Sequence, residues 1–197
     1  MKQTDKKRYV SMLLGGAIGI ASLLAPLAPA ASVAASPVPA SSSTWKSTTM
    51  NEKTAVRLVT EAVQRLRHVQ QGGALQGKIS TFMYKGKEYR YLGKDIDTKK
   101  EYLAYLQKTF TPSVSEALYK QAGLIVYKGR LAQVNADGGD MRQWGNAQAT
   151  FVKGAKWNKE YELKIPMGDK TNPSFATVRV KLLYLKGIGW RVATVIK

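Results

Sequence analysis

The chain has 197 residues, with 31 Lys or Arg against 13 Asp or Glu, and a net charge of +18. It has no cysteine and one histidine, which excludes disulfides, thiolate metal centres, a cysteine nucleophile and a multi-histidine metal site. Hydrophobic residues make up 44% of the chain, which suits a globular core and not a disordered basic tail. We expect a globular protein without a metal ion or cofactor.

The first 35 residues are typical of a secretory signal peptide. Four basic residues lie within positions 2–8, an apolar stretch follows over 10–24, and small residues at 28–30 and 33–35 match cleavage signals. The apolar stretch is too short and glycine-rich for a membrane-spanning helix, although an N-terminal anchor helix is the alternative. We expect a signal peptide over 1–35, a flexible Ser/Pro/Ala-rich leader over 36–47, and one domain over 48–197 without a stable membrane anchor.

Removal of the signal peptide takes away four basic residues and one acid, which leaves 27 basic and 12 acidic side chains and a net charge of +15. We predict a secreted, extracellular protein that associates with the cell wall. The charge favours anionic wall polymers as partners, and the alternative is a basic surface kept for solubility. We expect a monomer with no nucleic-acid partner.

The domain is predicted to begin with a helix and a hairpin. Thr49 and Glu52 have the spacing of a capping box, and Gly72-Gly73 ends the helical pattern. Two β-prone runs, 79–84 and 89–92, flank a Lys-Gly-Lys turn and predict a hairpin. The apolar residues at helical spacing are Ala55, Val56, Val59, Ala62, Val63, Leu66 and Val69.

Two further helices precede the remaining strands. The second begins at the capping box Thr98-x-x-Glu101, and the third begins at Thr111, has Pro112 at its first position and stops at Gly123. The predicted strands after it are 124–127, 130–134, 147–152, 161–165, 175–185 and 190–196. The predicted fold is therefore α+β: about three N-terminal helices with a β-hairpin, then an antiparallel β-meander.

The motifs of common enzyme classes are incomplete. Gly72 and Gly77-Lys78 have P-loop spacing, but Ile79 replaces the magnesium-binding Ser or Thr, and a helix precedes the motif where a strand is needed. His68 has no Gly-x-Ser-x-Gly partner motif. No carboxylate lies in an apolar stretch that would raise its pKa, as a glycosidase acid requires. We therefore expect no enzyme activity, no catalytic residues and no metal ligands.

The predicted first hairpin interleaves aromatic and basic residues. This pattern suits stacking on bases or sugars with phosphate contacts. The period-2 alternation of any amphipathic hairpin would also produce it, so both interpretations stay open. The residues are Tyr84, Lys85, Lys87, Tyr89, Arg90 and Tyr91.

The most unusual segment is 137–140, Asp-Gly-Gly-Asp, which holds the only acids between Glu116 and Glu160. Two adjacent glycines cost extra entropy to order, so we expect a mobile loop. The ordinary interpretation is a long hairpin connection built from turn-forming residues. The alternative interpretation is functional: a narrow acidic loop on an otherwise basic protein could enter a positively charged cleft of a partner.

Two stretches carry a resemblance to a known family. They are 89–103, Tyr-Arg-Tyr-Leu-Gly-Lys-Asp-Ile-Asp-Thr-Lys-Lys-Glu-Tyr-Leu, and 127–140, Tyr-Lys-Gly-Arg-Leu-Ala-Gln-Val-Asn-Ala-Asp-Gly-Gly-Asp. The chain resembles the IseA family of secreted DL-endopeptidase inhibitors from the first helix to the final Gly-Trp strand. The resemblance implies a single-domain α+β protein that inhibits NlpC/P60 cysteine peptidases, which cut the D-γ-glutamyl–diaminopimelic acid bond of peptidoglycan stem peptides.

The resemblance also implies that a mobile acidic Gly loop on a positive surface is the inhibitory element. Its acids would pair with the cations that normally hold the substrate's carboxylates, and its glycines would keep it narrow. The implied role is restraint of autolysins during cell separation and wall growth. The loop residues are Asp137, Gly138, Gly139 and Asp140, and the flanking contacts are Asn135, Met141 and Trp144, of which Trp144 is alternatively a core anchor at the base of the loop.

Two other classes of protein stay open. One is a basic protein that binds wall polyanions, which salt-sensitive retention without any effect on peptidases would favour. The other is a ligand-binding domain of the NTF2-like type, because helices followed by a meander ending in Gly-Trp-Arg-Val also occur there. A deep apolar cone between helices and sheet would favour that class.

Overall fold

A computed structural model describes residues 49–77, 79–136, 139–168 and 174–196. The predicted signal peptide and leader lie outside the described residues. The described chain contains three α-helices, two four-stranded antiparallel sheets and a short 3-10 turn at Trp144–Asn146, so the α+β prediction is confirmed. The elements are α1 (Glu52–Gln70), β1 (Thr81–Tyr84), β2 (Lys87–Tyr91), α2 (Lys99–Leu106), α3 (Pro112–Gln121), β3 (Ile125–Tyr127), β4 (Arg130–Val134), β5 (Gln148–Ala155), β6 (Asn158–Met167), β7 (Ser174–Leu185) and β8 (Gly189–Val192).

The first sheet corrects the predicted topology. Its strand order is β1-β2-β4-β3, and the meander contains only β5-β6-β7-β8. Tyr89 of β2 lies opposite Val134 of β4, and Tyr91 lies opposite Ala132. A two-stranded hairpin is marginally stable and leaves an open edge, so the second hairpin, β3–β4, completes the first one across the α2–α3 insertion.

The helix ends follow local hydrogen-bonding chemistry. Helix α1 begins one residue after Asn51, whose side chain accepts a hydrogen bond from the Thr54 backbone N–H at 2.9 Å. The predicted capping box at Thr49 is therefore wrong, because Asn51 supplies the stronger cap next to the first helical residue. The box at Thr98 is confirmed, since its hydroxyl accepts from the Glu101 backbone and donates to the Glu101 carboxylate.

The core lies between α1 and the second sheet. The predicted apolar face of α1 is confirmed except that Val56 is only half-buried and Leu58 is fully buried. Tyr161 of β6 lies in this core and donates a hydrogen bond from its hydroxyl to the Met50 carbonyl at 3.2 Å. Helix α1 also contacts the 3-10 turn at Trp144–Asn146, which belongs to the connection between the two sheets. In the part of the chain that the structure describes, no helix has the length and apolar composition of a membrane span.

Candidate functional site

The loop 135–143 connects the two sheets. It leaves β4 after Val134 and ends at the 3-10 turn that begins at Trp144. Asp137 and Gly138 of the predicted inhibitory element lie outside the described residues, whereas Gly139 and Asp140 are described. The described residues on either side show how both ends of the loop are held.

Asp140 is the centre of a hydrogen-bond network at the C-terminal end of the loop. One carboxylate oxygen, Oδ1, accepts from the Arg142 side chain (Nε) at 2.7 Å and from the Arg142 backbone N–H at 3.0 Å. The other, Oδ2, accepts from Trp144 Nε1 at 2.9 Å and lies 3.1 Å from Arg67 Nη2. Both oxygens are therefore engaged within the molecule, which differs from the expectation that Asp140 offers a free charge to a partner.

The pKa of Asp140 reflects this network. Partial burial would by itself raise the pKa of the carboxyl group, because it removes water from the charged form. The hydrogen bonds from Arg142, Trp144 and Arg67 outweigh that effect and hold the pKa well below its usual range. Asp140 is thus a stable anion that its own protein neutralises.

Arg67 connects the loop to helix α1. Besides the ion pair with the carboxylate, its Nη2 donates to the backbone carbonyl of Asp140 at 3.0 Å and lies 3.5 Å from that of Arg142. Because it binds main-chain atoms as well as a side chain, Arg67 fixes the path of the loop backbone and not only one rotamer.

The two apolar residues that flank the loop differ sharply in exposure. Trp144 is 4% exposed and belongs to the core, with the Arg142 guanidinium 4.8 Å from its ring centroid. The interpretation of Trp144 as the core anchor of the loop base is confirmed. Met141 is 77% exposed, so its side chain remains available for contact with a partner.

The N-terminal end of the loop is attached to the first sheet. Asn135 donates from Nδ2 to the Glu88 carboxylate at 2.7 Å and from its backbone N–H to the Glu88 carbonyl at 2.9 Å. The hydrogen bond from Asn135, and then one from Thr81, lower the pKa of Glu88. Asn135 is therefore a structural residue of the sheet edge as well as a candidate contact.

Arg90 lies beneath the same end of the loop. The residue is 7% exposed, and its guanidinium group donates to the carbonyls of Gln70 and Ala136, each at 3.4 Å. Arg67 and Arg142 thus surround the Asp140 carboxylate at one end of the loop, and Arg90 lies beneath the other end. The base of the loop is consequently positive, as the net charge of the chain suggested.

Gly139 has no close neighbours. A Cβ atom built there would meet no atom within 4 Å. Packing therefore does not require glycine at 139 in the unbound protein.

His68 does not form a catalytic arrangement with the loop. Its Nε2 lies 2.6 Å from the Asp95 carboxylate, and its ring stacks on Tyr105 at a centroid distance of 4.7 Å. Asp95 also accepts a hydrogen bond from the Ala74 backbone N–H, so the pair ties the end of α1 to the segment before α2. Among the described residues, no three acidic or histidine side chains are grouped as a metal site would require.

Comparison with known proteins identifies a family that matches the domain and a relative that matches part of it. The model of a family described as IseA DL-endopeptidase inhibitor matches residues 46–195. The protein called uncharacterized protein YoeB, from Bacillus subtilis (strain 168), is 30% identical over 89 residues, which are 45% of this chain and 49% of that protein. The match thus spans about half of that relative, whereas the family match includes the loop and all of its anchors.

Proposed function

This chain belongs to the IseA family of DL-endopeptidase inhibitors, and from that premise we propose that it blocks NlpC/P60-type DL-endopeptidases with the loop 135–143. The observation that carries the proposal is the family match, which covers the whole described domain. The function is inhibition and not catalysis, and it restrains peptidoglycan hydrolysis by autolysins during cell separation. The family match favours this function over the NTF2-like alternative.

The two acids of the loop have different roles in this proposal. Asp140 is held by Arg67, Arg142 and Trp144, so it shapes the base of the loop. Asp137 supplies the charge that meets the cations of the peptidase cleft. A base that is ordered before binding reduces the entropy lost on association, which favours tight inhibition.

The test is to incubate the domain with a purified NlpC/P60 endopeptidase while the release of stem peptides from peptidoglycan is followed. We expect inhibition that rises with the concentration of the domain and saturates at one inhibitor per enzyme. Full activity of the peptidase in the presence of excess, correctly folded domain would contradict the proposal.

Replacement of Asp137 by Asn is expected to weaken inhibition by roughly 5- to 150-fold. This factor corresponds to a loss of about 1–3 kcal/mol of binding free energy for one charged contact. The substitution keeps the size of the side chain and leaves the Arg67–Asp140 anchor intact, so the unfolding temperature should not change. Inhibition constants measured beside thermal unfolding would check this. Equal inhibition by the parent and the variant would remove Asp137 from the mechanism.

Gly139→Ala separates folding from binding. Because the Cβ position is open in the unbound protein, the variant should unfold at the same temperature as the parent. Inhibition should fall if the loop must fit a narrow cleft, since the added methyl group then meets the wall of the enzyme. A variant with unchanged inhibition would show that the cleft tolerates a wider loop.

Met141 provides an apolar contact next to the anchored carboxylate. Met141→Ser should leave the stability unchanged, because the side chain is 77% exposed. Inhibition should weaken by roughly 10-fold if a buried methionine contributes about 1.5 kcal/mol at the interface. The inhibition constant is the measurement, and an unchanged value would place Met141 outside the interface.

The N-terminal sequence supports a further proposal, that the protein is secreted and acts in the cell wall. The mature form is expected to begin between Ala31 and Ser36, after the cleavage signals of the signal peptide. Sequencing the N-terminus of the exported protein would check this. A form that keeps residues 1–24 in the membrane would contradict a freely diffusing inhibitor.

A further inference from the structure

The two faces of the first sheet differ in polarity: one buries polar side chains, and the other carries a cluster of aromatic rings. Strand alternation and register place the buried residues Arg90, Leu131 and Gln133 on one face, together with the exposed Met83 and Val126. The opposite face, which points away from the core, carries five aromatic rings that are each half-buried. These rings are Phe82, Tyr84, Tyr89, Tyr91 and Tyr127.

This face is concave. Phe82 on β1 stacks on Tyr127 of β3 with a centroid distance of 4.2 Å, although these are the two outer strands of the sheet. In a flat sheet they would be about 14 Å apart, three strand spacings. The sheet therefore coils around its aromatic face and brings the rings of its outer strands into contact. We call this curved face the aromatic groove.

The edges of the aromatic groove carry positive charge. Lys85 and Lys128 occupy the two hairpin turns, and their ammonium groups lie 5.5 and 5.6 Å from the ring centroids of Tyr84 and Tyr127. Lys87 lies on the same face. Among the described residues, none of these lysines forms a salt bridge, and alternation places no acidic strand residue on this face.

A cavity extends the groove at one end. It has a volume of about 500 Å³, and Tyr91 and Arg130 contribute to its lining together with Lys94 and Ser80. Arg130 lies over the Tyr91 ring, 4.9 Å from its centroid. Groove and cavity thus share Tyr91 and Arg130, and the cavity lining also contains Asp95.

We propose that the aromatic groove binds the glycan strand of peptidoglycan. Pyranose rings present flat C–H faces to aromatic rings, as bases do in single-strand binding, and the carboxylates of the stem peptides match the lysines. A polyol phosphate offers the charge but no sugar ring in its backbone, so the aromatic lining selects the glycan. This site lies outside the loop and goes beyond the proposed inhibition, because it holds the protein on the wall.

The test is cosedimentation of the domain with peptidoglycan sacculi that have been freed of teichoic acid. The variant Tyr84→Leu/Tyr89→Leu keeps apolar bulk but removes two rings, and it should bind at least about tenfold more weakly. Tyr84→Phe/Tyr89→Phe should bind like the parent. The matched control is Lys156→Gln/Trp157→Leu on the second sheet, where a lysine also lies over an exposed ring, and it should not alter binding.

Other outcomes would overturn the proposal. Unchanged binding by the leucine variant, or stronger binding to poly(glycerol phosphate) than to the sacculi, would show a polyanion surface without sugar stacking. If the leucine variant does not fold, Lys85→Gln/Lys87→Gln/Lys128→Gln replaces it and should weaken binding to sacculi and reduce its salt dependence. Inhibition of an endopeptidase on a soluble substrate should stay unchanged in all variants. Loss of inhibition in the groove variants would identify the groove as a contact with the peptidase and not with the wall. If the parent domain itself fails to inhibit the peptidase, its binding to sacculi is still expected.

Discussion

Replacing Trp144 by alanine is expected to lower the free energy of unfolding by about 3–5 kcal/mol, the usual cost of removing a buried tryptophan. Trp144 is 4% exposed and packs in the core beneath the loop. The unfolding temperature should fall by roughly 10 °C or more. Inhibition should be lost at temperatures where the variant is still folded, because the cavity also releases the base of the loop.

The matched variant Trp144→Phe separates packing from hydrogen bonding. It retains most of the ring volume but cannot donate to Asp140 Oδ2, a bond of 2.9 Å in the parent. We expect a loss of about 1–3 kcal/mol. Thermal unfolding and the inhibition constant of both variants are the measurements. If Trp144→Ala unfolds like the parent, the assignment of Trp144 as the anchor is wrong.

Replacing Asp140 by asparagine should have the second-largest effect. Both carboxylate oxygens accept from donors, Arg142 on one side and Trp144 with Arg67 on the other. The amide nitrogen of asparagine is itself a donor, so in either orientation it would oppose another N–H group. We expect a loss of about 1–3 kcal/mol and a decrease of roughly 3–10 °C in the unfolding temperature.

The effect of Asp140 should depend on pH with a defined sign. The pKa of Asp140 is lower in the folded protein than in the unfolded chain, where it is about 3.9. The ionised carboxylate therefore stabilises the fold fully above the unfolded pKa. This stabilisation is lost as the pH falls through the pKa of the folded protein. The difference in stability between parent and Asp140→Asn should be constant near neutral pH and shrink below about pH 4. A difference that stays constant down to pH 2 would contradict an ionised Asp140 as its source.

The fold could be predicted from sequence where the signals are local. The hairpin turns at Lys85-Gly86 and Lys128-Gly129 have the positive φ values that such two-residue turns need, and Thr98 caps its helix as its spacing indicates. Strand pairing across the α2–α3 insertion could not be predicted, because period-2 alternation defines which face of a strand is buried and not which strand lies beside it. The predicted meander therefore wrongly includes β3 and β4, which belong to the first sheet.

The loop illustrates the same limit for function. Composition pointed to its acids and glycines, but the anchoring residue Arg67 lies 73 residues before Asp140 in sequence. Nothing in the pattern of α1 distinguishes Arg67 from the other arginines of that helix. Only the folded structure shows that the Asp140 carboxylate is engaged by Arg142, Trp144 and Arg67. An acidic residue in the sequence is therefore not always an acidic group that a partner can contact.

The two ends of the loop are attached to different parts of the molecule, Asn135 to Glu88 of β2 and Asp140 to Arg67 of α1. Of the two residues described between them, Ala136 accepts a hydrogen bond from Arg90 through its carbonyl, and the Cβ position of Gly139 has no atom within 4 Å. During evolution residues 136–139 can therefore diverge or change in number without disturbing the framework that displays them. Substitutions within 136–139 are therefore expected to change which hydrolase the protein binds without changing its fold. A laboratory library directed at other hydrolases should vary these positions.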